Sequence, residues 1–240
     1  YSFGGVDITS IIACYVYASH LFFSSASSNR GEKRILPMSD TLTTLDALDE
    51  AGKALLFTEA RTANTFAETP VTDEELVSIW DLAKWAPTSA NMQPLRVTYV
   101  NTPEARARLV ANMSEGNREK TLAAPAVALL AADNNFHQHV PTVMPFMPQM
   151  EDMFAANEEM RKGFAGFNSA LQAGYFVLAV RAQGLAAGPM TGFDADAIDK
   201  DFFADGRHHA IMVVNIGHAT EDSYRNRGAR LEVNEVVRFA

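Results

Sequence analysis

Between residues 163 and 184, Phe164, Phe167, Leu171, Gly174, Tyr175, Leu178 and Ala182 hold a 3.6-residue period over many turns. This stretch predicts a long helix that is apolar on more than one face. Such a helix is either central to the fold or buried against a second subunit. Shorter elements arrange themselves around it. Residues 46–60 read as helical. Thr72 and Glu75 form a capping-box pattern ahead of Leu76, Ile79, Trp80 and Ala83, whose spacing buries one helix face, and Pro87 closes that element. Arg96 to Val100 alternates as a short strand, and residues 103–114 and 117–123 read as helices. Ala126 to Ala132 is an apolar run between Pro125 and Asp133-Asn134-Asn135, which suits a buried strand. Residues 137–149, rich in Pro and Met, read as a mobile excursion leading into a short helix, and Ile211 to Ile216 as a further core strand. Helices and strands in this order predict an α+β fold with helices flanking one sheet.

The chain has 240 residues, 48% hydrophobic and 20% charged, enough for one domain with a sizeable core. A net charge of −9 argues against a nucleic-acid partner. Cys14 is the only cysteine, so neither an intrachain disulfide nor a cysteine metal cage is available. Residues 1–37 differ in character. An apolar run from Val6 to Phe23, interrupted by polar residues, precedes Arg30, Lys33 and Arg34. A signal peptide carries its positive charge before the apolar run, and a membrane span tolerates fewer polar residues. The reading is therefore an N-terminal extension over 1–37 outside the fold, followed by one domain over 38–240, with a membrane anchor in that extension as the alternative.

Five segments could carry chemistry. Arg61-Thr62-Ala63-Asn64 gathers a guanidinium, a hydroxyl and an amide suited to an anion. Pro87-Thr88-Ser89-Ala90-Asn91-Met92-Gln93-Pro94 is a proline-bracketed loop of short donors and acceptors, barred from helix by its prolines. Asn117 and Lys120 share a helix face. Gly188-Pro189-Met190-Thr191-Gly192-Phe193, directly after the long helix, reads as irregular backbone that a ligand could approach closely. Arg225, Arg227 and Arg230 form a local basic patch on an acidic chain. Singly, each has a bland alternative, a solvated face or an ordinary turn. G-x-G-x-x-G, the P-loop and the G-x-S-x-G elbow are missing from the sequence, and His137-x-His139 and His208-His209 lack a third metal ligand. No acid, base or nucleophile stands out, as expected where a cofactor carries the chemistry.

Together the segments resemble the nitroreductase-type FMN flavoproteins. The matching residues are Ala60-Arg61-Thr62-x-Asn64, Lys84-Trp85-Ala86-Pro87-Thr88-Ser89-Ala90-Asn91, Gly116-Asn117-x-x-Lys120-Thr121-Leu122-x-Ala124-Pro125, Gly188-Pro189-Met190-x-Gly192-Phe193-Asp194 and Asn215-Ile216-Gly217. Within that family they are most similar to the malonic semialdehyde reductase branch associated with pyrimidine degradation. The resemblance implies a central mixed β-sheet flanked by helices in an intertwined homodimer, cytoplasmic, with FMN and with NADH or NADPH as electron donor. It implies that Arg61, Thr62 and Asn64 hold the phosphate and ribityl chain. Asn117 and Lys120 would reach the isoalloxazine edge, and the backbone of Pro189, Met190, Thr191 and Gly192 would approach N5. Arg227 and Arg230 would complete the phosphate site, with Arg225 competing for that role. Pro87, Thr88, Ser89 and Asn91 would come from the partner subunit. No side chain is assigned as catalytic and no metal is implied. The expected reaction is ping-pong hydride transfer through flavin N5, reducing malonic semialdehyde to 3-hydroxypropanoate. Asn64 and Thr191 stand where the wider family commonly carries charged residues. A broad nitro or quinone reductase, and a flavin-binding protein without turnover, are the competing readings.

Overall fold

Among the described residues four strands, β1 (Leu95–Tyr99), β2 (Ala126–Asp133), β3 (Ala186–Met190) and β4 (His208–Gly217), hydrogen-bond in the order β1-β2-β4-β3. The computed structural model describes residues 46–240. The expected boundary between 37 and 38 lies outside those residues. From Leu48 onward the chain forms one unit. All three strand pairings are antiparallel, so the expected mixed sheet is corrected to an antiparallel one among the described residues. The connections allow this, because each pair of neighbouring strands runs in opposite directions whatever the length of chain between them.

The helices are α1 (Glu50–Lys53), α2 (Asp73–Ala83), α3 (Pro103–Ala111), α4 (Glu115–Ala123), α5 (Val140–Val143), α6 (Gln149–Ala156), α7 (Glu158–Ala182), α8 (Ala195–Phe202) and α9 (Val233–Val236). The long helix α7 packs with α2 on one sheet face, where Phe176 and Val180 meet Ala128, Leu130, Val214 and Ile216. On the other face Leu109 of α3 and Ile198 of α8 meet Val127, Leu129 and Val213. Every residue of β2 is buried, because alternate side chains enter these two cores. The capping box at Thr72 is present, with Glu75 N–H bonded to Thr72 Oγ1 at 3.2 Å and Thr72 N–H to Glu75 Oε2 at 2.8 Å.

Two expectations change. Residues 46–60 are not one helix: α1 passes into a π-helical turn over Ala54–Thr58, closed by Glu59 N–H on Ala54 O at 2.9 Å. The excursion over 137–149, expected to be loose, contributes to a third core. There Phe136 lies 5.0 Å from Phe154 between ring centroids, with Met92, Val140 and Ala165 around them.

Candidate functional site

The segment over 188–193 corrects the sequence reading, because its first half is strand and not irregular loop. Ala63 N–H donates to Ala187 O at 2.9 Å, so that carbonyl faces away from β4. Pro189, two residues on, faces the same way, and its missing N–H costs the ladder nothing on this edge strand. A Cβ on Gly188 would sit 2.7 Å from Ala63 O and one on Gly192 would sit 2.7 Å from Asn117 Nδ2. These glycines therefore let two segments dock: Arg61–Asn64 along β3, and α4 beneath residue 192.

Asn117 Nδ2 donates to Gly192 O at 2.9 Å, joining α4 to the end of β3. Lys120 is held from both sides. Asn215 Nδ2 donates to Lys120 O at 3.1 Å, and the buried Arg106 donates to Thr121 O and Ala124 O at 2.9 and 2.7 Å, closing the C-terminal turn of α4. Partial burial, then the neighbouring charge of Arg225, lowers the Lys120 pKa below the usual lysine value.

Positive charge converges at the Arg61 end of β3. Arg61 Nη1 donates to Arg225 O at 3.4 Å, and Arg227 Nη2 to Ala60 O at 3.1 Å. Arg181, in the last turn of α7, is also present: burial depresses its pKa, Tyr224 opposes that, and the charge of Arg227 adds to it. Arg61, Arg181, Glu59 and Tyr224 line a cavity of about 140 Å³. Among the described residues Glu59 is the one acid paired with Arg61, at 3.6 Å and largely exposed, and Arg61 Nε is buried without a hydrogen-bond partner. Several cations facing one another, with a donor left over, are offset most simply by an anion with several oxygens.

Thr62 is exposed beside this cluster, and Asn64 Nδ2 reaches only Thr62 O, at 3.3 Å. Met190 points into the core near Thr121, and Thr191 is exposed, so at both positions the backbone is what the strand end can offer to a ligand. Among the described residues Arg230 donates to Gly228 O and Ala229 O in its own turn and to no residue of the cluster. Arg225 meets Arg61 through its main-chain carbonyl, and its charge neighbours Lys120.

The Pro87–Pro94 loop is not at this site within the chain. It leads into β1, at the far edge of the sheet, three strand spacings or about 14 Å across from β3. It is also displaced along the strands, since Leu95 pairs with Ala132 and Ala132 with His209, whereas Met190 pairs with Val213. Pro87 and Ser89 are exposed there and Thr88 Oγ1 accepts from Gln93 N–H. Asn91 donates to Val143 O at 3.0 Å and accepts from Gln93 Nε2 at 2.9 Å, so its amide braces the loop itself.

A larger cleft, about 450 Å³, opens beside the start of β4, lined by Lys162, Asp199, Lys200, His208 and His209 among others. Most of its charges are already engaged. Lys162 pairs with Glu158, and Asp199 binds His209 Nδ1 and Ala210 N–H, each at 2.7 Å. The smaller, unbalanced cluster is the better candidate. Among the described residues no group of His, Cys, Asp or Glu could hold a metal, and no helix is long and apolar enough to cross a membrane.

Residues 58–218, most of the core just described, match the Nitroreductase family. The chain belongs to that family. A relative from Streptomyces coelicolor, provisionally named NADH dehydrogenase/NAD(P)H nitroreductase, is 56% identical over 191 residues, covering 80% of this chain and 94% of the relative. One of the same name from Leptothrix cholodnii is 48% identical, covering 78% and 94%. A Bacillus subtilis structure provisionally named a nitroreductase superposes with a TM-score of 0.70 at 26% identity, covering 79% of this chain and 99% of that one. An Exiguobacterium sibiricum nitroreductase structure in complex with FMN gives 0.71 at 21% identity, covering 82% and 100%, and supports the shared fold. The nitroreductase-like α+β fold is thus established for this chain.

The sequence reading overlooked Arg181, Arg106 and the buried amides of α7. Arg181 carries no local pattern. The amides leave one: Asn168 and Gln172 are polar residues four apart in the part of the helix that is mostly apolar.

Proposed function

We propose that this nitroreductase-family chain is an FMN-dependent NAD(P)H oxidoreductase whose site is completed by a second copy. The observation that carries this reading is the gathering of Arg61, Arg181 and Arg227 beside glycine-thinned backbone, with the charge of Arg225 near Lys120 and Arg61 Nε buried and, among the described residues, unpartnered. That donor set suits the phosphate of a flavin nucleotide. Arg61, Thr62, Arg225 and Arg227 would hold the phosphate, with Asn64 serving the ribityl chain. Lys120 and Asn117, both on α4, would serve the ring, and the backbone of Pro189–Gly192 would line its approach. FMN supplies hydride transfer between NAD(P)H and an oxidised substrate at its N5. The chain's own part is to bind, orient and shield, with Lys120 as a fixed positive charge that favours negative charge on the ring.

A single chain leaves Thr88 and Ser89 at the opposite sheet edge, and exposes Trp85 (78%) and Phe167 (63%). A homodimer that covers those surfaces brings the loop of one subunit to the flavin of the other. The substrate is a small aldehyde, nitro compound or quinone. Malonic semialdehyde is the finer proposal, supported by the uncharged Asn64 and Thr191. Nitro reduction is the second reading, favoured by the names of relatives at 56% and 48% identity.

The test is anaerobic. The protein is reconstituted with FMN, bleached with NADH or NADPH, then exposed in turn to malonic semialdehyde, nitrofurazone and a quinone. Recovery of colour with the aldehyde alone selects the semialdehyde reductase, and recovery with nitrofurazone or quinone the second reading. Flavin that binds and cannot be bleached indicates binding without turnover, and a protein that takes up no FMN refutes all three.

A further inference from the structure

The loop from Thr88 to Gln93 is held in a backbone shape it would not choose. Ala90, Asn91 and Gln93 have φ of 52°, 54° and 45°, the left-handed region that side-chain-bearing residues disfavour. Three such residues within four positions persist only where their surroundings over-determine them. Two buried amides of α7 supply the constraint. Asn168 Oδ1 accepts from Ser89 N–H at 2.7 Å, and Gln172 Oε1 accepts from Leu95 N–H at 2.9 Å. They stand one helical turn apart and grip the loop at its two ends. Both side chains are almost wholly buried, at 0% and 1% exposure.

The remaining bonds are arranged unequally. Asn168 Nδ2 is anchored on Phe164 O at 2.9 Å, whereas Gln172 Nε2 is buried with no partner. An unpartnered buried donor is a standing cost. Ordinary packing needs no amide there, and an apolar residue of the same volume would serve a core better. What Gln172 alone provides is its acceptor oxygen. A third clamp acts at the Pro94 end, where Arg96 donates to Gln93 O at 2.9 Å and Asp133 N–H to Pro94 O at 2.9 Å.

We propose that Asn168 and Gln172 are positioning residues that template the Thr88–Gln93 loop in the shape with which it meets the partner subunit's flavin. This rests on the shared-site flavin reading. The same helix exposes Phe167, Leu171 and Tyr175 on the neighbouring stripe, so one rigid element would carry both the loop's template and the surface offered to the second copy.

The test compares Gln172→Met, which keeps the volume and removes the acceptor, with Gln172→Glu, which keeps a carbonyl acceptor in the neutral, protonated form that burial favours and which is measured at a pH where the carboxyl is neutral. Asn168→Leu is a second probe at the other end of the loop. In the full-length protein, amide exchange of Ser89 and Leu95 is followed by NMR, FMN affinity by fluorescence, and subunit assembly by sedimentation. In Gln172→Met, Leu95 exchange is expected to accelerate about tenfold and FMN affinity to fall about tenfold, as for loss of one buried hydrogen bond. Assembly stays that of the parent, and Gln172→Glu restores both values. A merely structural glutamine would lower the melting temperature and leave the affinity of the folded protein unchanged, and that result overturns the proposal. If Gln172→Met does not fold, Asn168→Leu decides by the same readouts at Ser89. A parent protein that binds no FMN defeats the flavin reading and the loop's proposed purpose with it. Exchange of the two amides then still decides the templating itself.

Discussion

At Gly188 the backbones of β3 and the Arg61 segment approach so closely that a side chain has no room. The obstructing atom is Ala63 O, which is main chain and cannot rotate aside. Gly188→Ala is therefore expected to destabilise the fold by about 1–3 kcal/mol through overpacking, and to displace Arg61 with it. Thermal unfolding and FMN affinity measured on the same variant check both effects. Arg61→Ala should spare the fold and weaken flavin retention by about 1.5–3 kcal/mol, the usual worth of a charge-assisted contact. Flavin content unchanged after dialysis would show that the phosphate assignment is wrong. Lys120 adds a dependence on pH. Its pKa is lowered, so its charge is complete below that value and lost as pH rises through it. Binding an anion favours the charged form. Affinity for FMN should accordingly begin to fall below pH 10.5, the ordinary lysine value, and Lys120→Arg should remove that component.

Among the elements, Asp133 joins three pieces of chain at the end of β2. Arg207 donates to both its oxygens at 2.9 Å, Arg96 lies at 2.8 Å, and Asn135 N–H donates to it at 2.8 Å. Burial alone would raise this carboxyl's pKa. The bonds from Arg207 and Asn135, with the charges of both arginines, outweigh burial and hold it below the usual aspartate value of 3.8. A depressed carboxylate stabilises the fold above its unfolded pKa, and that contribution disappears as pH falls through the folded value. Asp133→Asn should cost about 3 kcal/mol at neutral pH, near the lower end for a broken buried pair because both arginines remain one-third exposed. It should also flatten the stability curve below about pH 4. Urea titrations from pH 3 to 7 would reveal either effect.

Across the whole molecule, the opposite placement of the loop and the cation cluster would, on the proposed shared-site reading, make assembly a condition of function. Phe167, Leu171 and Tyr175 recur every fourth residue along α7 and remain exposed, a stripe that a second copy would cover. Phe167→Glu should shift the protein from dimer to monomer in sedimentation, and FMN affinity should fall with it. A monomeric variant that retains parental affinity would refute the shared site.

Much of this architecture is legible in local sequence patterns. The period through residues 163–184 locates α7, Thr72 and Glu75 mark the start of α2, and the apolar run over 126–132 identifies the buried strand. Strand β3 is not legible in the same way, because Gly188 and Pro189 look like punctuation. Only an edge position, with Ala63 packed alongside, makes them compatible with a sheet. Arg230 is expected at the phosphate site from the family resemblance and Arg181 is not. Neighbours in sequence say nothing about which segments meet across 164 residues of chain, the separation that the Arg61 guanidinium and the Arg225 carbonyl bridge. Sequence patterns thus specify the elements, the family resemblance and the residue types available to bind an anion. Tertiary packing selects which of them converge, the antiparallel sense of the sheet, and the separation of the loop from the site. Pairing across a sheet and burial of charge depend on contacts between distant segments, which no local pattern encodes.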